Sequence, residues 1–404
     1  MKDATFIRRV RLKNYKSIAG CDVELRPLIF LVGPNGSGKS NFLDALRFVA
    51  DALRTSLDHA LRDRGGIHEV RRRSGGHPTH FGIRLEFRLP DGSEGHYAFR
   101  IGARPQGGYE VQGEECAIRK PEALGPEASF SVRSGKVAGT ADIFPPATTD
   151  RLYLVNAAGL PEFRSAYEAL SRMGFYNLNP DRIRELQAPD PGELLARDGS
   201  NITSVLAQMK KRAPQRKERI EKYLASVVPG VCGVDVRTIG PRETLEFRQQ
   251  VQGALAPWRF PAASMSDGTL RALGVLVSVF QSNGEKARVP LVGIEEPEAA
   301  LHPAAARYLV DSLIEASRET QVIITSHSPD LLDHEAVETE SLLAVEADQG
   351  KTLICPVYEA ARTALKDRLY TAGELLRMNQ LRPDTTRHSS KSEKQLRLFD
   401  GIRE

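Results

Sequence analysis

Apolar residues run unbroken through Leu28-Ile-Phe-Leu-Val32, a pattern that suits a strand covered on both faces. The stretch from residue 5 to 32 reads as two strands joined by a turn, the first over Phe6 to Leu12. After a glycine-rich loop, Phe42, Leu46, Val49 and Leu53 recur at i, i+4, i+7 and i+11, the stripe of an amphipathic helix. Residues 80 to 120 alternate over short stretches broken at Asp91-Gly92 and Gly107-Gly108, which predicts an antiparallel meander. Residues 121 to 150 are rich in Pro, Gly, Ser and Ala and read as irregular connections. Helical periodicity holds from about 160 to 228, with Pro-Asp-Pro-Gly near 189 to 192 as a break. Two short strands are expected around 232 to 252, then a helix over 264 to 282 with so little polar surface that it should be buried. A strand over Val289 to Ile294, a helix over His302 to Arg318 and a strand from Gln321 to Thr325 form a crossover that calls for a parallel sheet. From Thr385 onward no core pattern remains, and residues 385–404 read as a mobile tail.

At 404 residues and 41% hydrophobic, the chain can bury a large core in two lobes. A formal charge of +4 decides little; clusters at 71–73 and 207–219 matter more, and such runs are usually solvated surface. Cys21, Cys116, Cys232 and Cys355 are widely spaced, so they read as buried thiols in a reducing compartment and not as a disulfide framework or zinc site. No signal pattern opens the chain and no apolar run is long enough to span a bilayer, so the expected location is cytoplasmic, with no membrane contact.

The chemistry begins at Gly33-Pro34-Asn35-Gly36-Ser37-Gly38-Lys39-Ser40, which satisfies G-x-x-x-x-G-K-[ST] between a buried strand and an amphipathic helix. Backbone N–H groups of such a loop wrap phosphates, and the helix that follows points its positive end at them. Lys39 would reach the β/γ-phosphates of ATP and Ser40 would ligate Mg²⁺. The strand ending in Ile294 closes on Glu295-Glu296, two carboxylates that are costly beside apolar residues unless a cation or a reaction uses them. Successive side chains of a strand face opposite ways. Glu295 is therefore assigned to the Mg²⁺ shell and Glu296 to orienting or deprotonating the attacking water. His327, in Thr325-Ser-His-Ser-Pro329, ends the next strand, where an imidazole can bond a γ-phosphate or serve the fold alone.

Three blocks together resemble the ABC-type ATPase heads of the RecF, SMC and OLD group. They are Lys13-Asn-Tyr-Lys-Ser-Ile18 with the phosphate loop and helix start through Leu46, Ser264-Met-Ser-Asp-Gly-Thr-Leu-Arg-Ala-Leu273, and Glu295-Glu-Pro-Glu-Ala-Ala-Leu-His-Pro303 with the Thr-Ser-His-Ser-Pro turn. The resemblance implies an α/β P-loop NTPase of ABC-ATPase type, a mixed sheet flanked by helices with an inserted α+β and helical region. It divides the chain into an N-terminal ATPase lobe (1–120), an insert (121–255), a C-terminal lobe (256–384) and the tail. It also implies a homodimer closed around two ATP molecules, in which Ser266 and Gly268 of one copy contact the γ-phosphate held by the other. Lys16 and Ser17 would line the adenine side, and Leu301 and His302 would cross the dimer interface. The Ser-Asp-Gly-Thr signature departs from the transporter form Ser-Gly-Gly-Gln, and no glutamine between Asn41 and Pro105 supplies a Q-loop, a position the sequence leaves unplaced, with His68 and Glu69 the candidates.

Proteins of the OLD type carry a nuclease domain after the head, and the residues beyond His327 lack an acidic metal-binding cluster. The expectation is a stand-alone head that gates a separate nuclease or effector subunit, acting as a DNA-sensing switch in repair or phage defence. The alternative is a nucleotide-dependent protein-interaction module without DNA contact. In the tail, Gln395-Leu-Arg-Leu-Phe399 resembles the pentapeptide that docks bacterial proteins on the replicative sliding clamp; folding back onto the chain's own surface as an amphipathic helix is the competing reading.

Overall fold

The computed structural model describes residues 5–73, 78–121, 127–133, 135–141, 144–282, 289–386 and 396–399. The chain opens with the hairpin β1 (Ile7–Tyr15) and β2 (Ile18–Glu24), then β3 (Leu28–Val32), so the first segment holds three strands where the pattern predicted two. The extra reversal is a tight turn in which Lys16 takes φ of 46°. That left-handed conformation is unusual for lysine, and no glycine marks the turn in the sequence. After β3 comes the helix Lys39–Arg54, then the meander β4 (His80–Arg88), β5 (Glu94–Ala103) and β6 (Tyr109–Arg119).

The Pro- and Gly-rich region is not wholly irregular: β7 (Ala128–Arg133) and β8 (Lys136–Gly139) extend the same sheet. With them the sheet runs β2-β1-β4-β5-β6-β7-β8, antiparallel throughout. The helical region contains helices Pro161–Ser171, Ile202–Arg212 and Pro214–Val227 and also a strand, β9 (Gly174–Tyr176), too short to stand out by periodicity. A small antiparallel sheet follows, β10 (Val231–Ile239), β11 (Arg242–Gln249) and β12 (Trp258–Pro261). Beyond the buried helix Asp267–Phe280 lie β13 (Leu291–Glu295), helix Pro303–Ala316, β14 (Gln321–Ser326), and a terminal hairpin β15 (Leu342–Asp348) and β16 (Lys351–Pro356).

The central sheet has the order β16-β15-β3-β14-β13-β9. Its pairings are parallel from β15 to β9, as the crossover required, and antiparallel only at β15–β16. This sheet serves two cores. Ile29, Leu31 and Ile323 face the antiparallel sheet and the Lys39–Arg54 helix, whereas Leu28, Phe30, Val32, Val322 and Ile324 face the helices around Asp267–Phe280. The period of two along β3 thus sorts alternate side chains into different cores, which is why the run has no polar position.

Two expectations fail here. Cys232 is exposed, although the other three cysteines are buried. Within the tail expected to be mobile, residues 396–399 fold back on the chain's own surface as the competing reading held, though not as a helix: Leu396, Leu398 and Phe399 are 8%, 0% and 5% exposed and join Ala98 in a small apolar cluster. Gln395, the first residue of the clamp-like pentapeptide, lies outside the described residues.

Candidate nucleotide site

The loop at residues 33–40 leaves the C-terminal end of β3 in the middle of the parallel sheet, where α/β sheets place their ligands. Gly38 adopts φ of 103°, and a Cβ there would sit 2.0 Å from Thr352 Oγ1. At Gly33 a Cβ would meet the carbonyl oxygen of Val345 at 2.0 Å. Both glycines are thus set by the β15–β16 hairpin pressing on the loop. The hairpin also bonds to it: Thr352 Oγ1 donates to the Ser37 carbonyl at 2.9 Å, and its backbone N–H donates to the Ser17 carbonyl at 3.0 Å. Asn41 Nδ2 donates to Ser17 Oγ at 2.6 Å, and Ser17 Oγ lies 2.7 Å from Thr352 Oγ1. Ser17 is therefore tied beneath the loop. Thr352 is one residue that sequence reasoning missed, because an isolated threonine more than 300 positions downstream carries no signal.

Lys39 is buried, and its ammonium donates to the carbonyls of Gly33 at 2.8 Å and Pro34 at 2.9 Å. Burial pushes the Lys39 pKa down, while the negative charges of Glu296 and Glu298 push it back up. Those carboxylates sit just beyond β13. Glu296 takes φ of 45°, a left-handed conformation that costs a non-glycine residue on the order of 1 kcal/mol and is typical of functional turns. Its N–H donates to Thr325 O at 3.0 Å, and its carboxylate lies 3.3 Å from His327 Nδ1. Glu298 was not singled out in the sequence. One of its oxygens accepts from Ser326 Oγ at 2.5 Å, the other is buried without a partner, and burial raises its pKa. The Ser37 hydroxyl is likewise buried and unpartnered. Two buried polar atoms without partners beside a phosphate-type loop fit a site shaped for a polar ligand.

Glu295 points elsewhere. Its Oε1 accepts from Arg197 at 3.1 Å, and it lines a cleft with Ser40, Asn41, Lys16 and Arg197. One hydroxyl and one carboxylate suit Mg²⁺, which keeps water and phosphate oxygens in its shell instead of taking an all-protein cage. Among the described residues no group of three or more His, Cys, Asp or Glu could hold a metal. Lys16 does not reach out freely: its ammonium is 2.6 Å from Asp44 Oδ2. Asp44 also receives Tyr15 Oη at 2.8 Å, Arg64 at 3.0 Å and Arg47 at 2.7 Å. Burial pushes the Asp44 carboxyl up, but Arg64, Arg47 and Lys16 outweigh it and hold it well below the usual carboxylate range.

Ser266 and Gly268 are built apart from the loop. Ser266 is exposed and caps helix Asp267–Phe280, its hydroxyl accepting from Thr269 N at 3.2 Å. Gly268 is buried, and a Cβ there would sit 2.4 Å from the Ala300 carbonyl oxygen. The turn that carries Glu296 and Glu298 therefore abuts the signature helix at its far end. His302 caps the next helix, accepting from Ala304 N at 3.2 Å. His68 and Glu69 are engaged with Arg71 and Arg73 on a short surface helix. The basic 207–219 stretch is largely paired: Lys210 with Asp235, Arg216 with Glu319, Lys217 with Glu221 and Arg219 with Glu315. No helix among the described residues is long and apolar enough to cross a membrane.

Residues 28–333 match the family described as "AAA domain, putative AbiEii toxin, Type IV TA system". The chain belongs to this family. It is 25% identical over 378 residues to an OLD nuclease of Thermus scotoductus, a match covering 89% of this chain and 66% of that protein. The chain thus spans just under two thirds of that relative's length. The structural maintenance of chromosomes protein 4 of Schizosaccharomyces pombe is 38% identical over 95 residues, 22% of this chain and 7% of that one. Among solved structures, an Smc head bound to the C-winged helix domain of ScpA superposes with a TM-score of 0.56 at 17% identity. That match covers 86% of this chain and 97% of the Smc head. An Smc head with an extended coiled coil from Pyrococcus furiosus gives 0.55 at 13% identity, over 90% of this chain and all of that one. Its fold is that of an ABC-type ATPase head, as in the Smc heads on which it superposes.

Proposed function

We propose that the chain binds ATP with Mg²⁺ at residues 33–40 and hydrolyses it, and that two copies close around the nucleotide as a switch gating a separate effector in DNA repair or phage defence. The observation that carries this reading is the convergence of Lys39, Glu296, Glu298 and His327 beside one phosphate-type loop. Lys39, freed from the Gly33 and Pro34 carbonyls, would neutralise phosphate charge, and the first-turn N–H groups of its helix would donate to phosphate oxygens. Glu296, held by His327, would accept the proton of the attacking water. Ser40 and Glu295 would hold Mg²⁺, which supplies Lewis-acid stabilisation of the phosphate oxygens. Ser266, exposed at a helix N-terminus, would complete the site of the second copy.

Glu296→Gln tests the reading. It should slow ATP turnover roughly 100-fold or more while leaving binding intact, and with ATP it should elute as a dimer in size-exclusion chromatography. Turnover at the wild-type rate would remove Glu296 from its role. A second reading, a nucleotide-dependent protein-interaction module without DNA contact, is favoured by the pairing of the 207–219 basic residues with acids, which leaves less free charge for phosphate. DNA-stimulated turnover of the pure protein supports the first reading; ATP-dependent co-purification of a protein without such stimulation supports the second.

A further inference from the structure

The outer face of the antiparallel sheet is depressed where three strands run side by side. Register places Gly82 of β4 opposite Arg100 of β5, and Arg100 opposite Gly113 of β6. The next rung on the same face is Arg84, Ala98 and Glu115. Small residues at Gly82, Ala98 and Gly113 lower the surface, while the inward-facing neighbours Ile83, Leu85, Tyr97 and Phe99 belong to the main core. Residues 396–399 lie in this depression. A Cβ on Gly82 would be 2.3 Å from Leu398 Cδ1, and one on Gly113 would be 3.4 Å from the Phe399 ring. The Arg100 guanidinium stands 5.8 Å from the Phe399 ring centroid. Arg84, itself buried, donates to the Leu398 carbonyl at 2.9 Å and to Glu115 Oε1 at 2.9 Å.

The two halves of this contact differ in kind. The tail supplies the large apolar side chains, whereas the floor consists of glycine, alanine, two arginines and a glutamate. Such a floor tolerates water, because lifting the tail re-solvates charged groups and exposes no large apolar patch on the sheet. The tail alone would become sticky, showing two leucines and a phenylalanine.

We propose that the outer face of β4–β6 is a peptide-binding groove, that its ligand is the chain's own Leu-Arg-Leu-Phe segment docked in cis, and that this docking withholds the segment from outside partners. The segment is a releasable strap, and the groove sets its availability.

Two experiments on the full-length chain decide the matter. Gly82→Val fills the groove and leaves the tail sequence untouched; trypsin cleavage after Arg397 should accelerate roughly ten-fold or more, as expected when contacts holding a short segment are lost. In parallel, a fluorescent peptide of residues 394–400 should bind the Leu398→Asp protein saturably, bind wild type at least roughly ten-fold more weakly, and fail to bind Leu398→Asp combined with Gly82→Val. Unchanged thermal melting of the variants controls for folding. Equal peptide binding by wild type and Leu398→Asp, or unchanged cleavage in Gly82→Val, overturns the proposal. Protection that grows with protein concentration would also overturn it, because the groove would then be filled by a second copy.

Discussion

Glu114 shows how one buried side chain can link stability to pH. Its Oε2 accepts from Tyr153 N at 2.5 Å, and its Oε1 accepts from Leu154 N at 2.8 Å and Tyr97 Oη at 2.9 Å. Burial pushes its pKa up to about 7, against the pull of those three donors. Between the ordinary glutamate range and pH 7 the folded chain holds a proton that the unfolded chain has released, so this group's contribution to stability falls as pH rises through that window. Glu114→Gln should flatten that slope in melting curves taken from pH 4.5 to 7. It should also lower stability by about 1–3 kcal/mol, because an amide nitrogen would face a backbone N–H and cannot accept from it. At the site itself, Arg197 occupies Glu295 as a competing cation. Arg197→Ala should therefore lower the Mg²⁺ concentration needed for half-maximal ATP turnover; an unchanged or higher requirement would count against Glu295 in the metal shell.

Among the elements, the β15–β16 hairpin presses on the phosphate loop from outside. It meets Gly33 through the Val345 backbone and Gly38 through the Thr352 side chain. Those two contacts predict different responses. Gly33→Ala collides with a carbonyl oxygen that no side-chain change removes, so it should depress both melting temperature and nucleotide affinity without rescue. Gly38→Ala collides with Thr352, so a Thr352→Ala partner should recover part of the melting temperature, leaving the 2.9 Å approach to the Cβ of residue 352 and the strain of φ at 103°. The short helix Ala372–Arg377 is capped by a Thr371–Glu374 capping box.

For the whole molecule, two cores share one sheet, and the Glu296–His302 turn spans from the carboxylates to the signature helix. Closure of a second copy on Ser266 and the 300–302 segment would act on Glu296 through a turn of a few residues, a short physical route for coupling nucleotide to assembly. Lys39→Ala removes the charge on the loop without touching either core. It should abolish ATP binding by equilibrium dialysis; retained ATP affinity would refute the loop's role.

By itself the sequence determined the elements whose chemistry is local: the strand-loop-helix around Lys39, the carboxylates closing β13, the His327 turn and the meander. Each is written in adjacent residues, because periodicity reports which face of a segment is buried and glycine reports where backbone must bend. It did not reveal the Lys16 turn, where an ordinary residue takes a left-handed conformation, or β9, whose length hides its period. Only the tertiary structure decided what covers each buried face. Thr352 against the phosphate loop, Arg197 on Glu295, Gly268 under Ala300 and the tail in the Gly82–Gly113 groove all join residues far apart in the chain. A local pattern can say that such a residue is buried or small, but the identity of its neighbour is fixed only when the two cores close on the shared sheet.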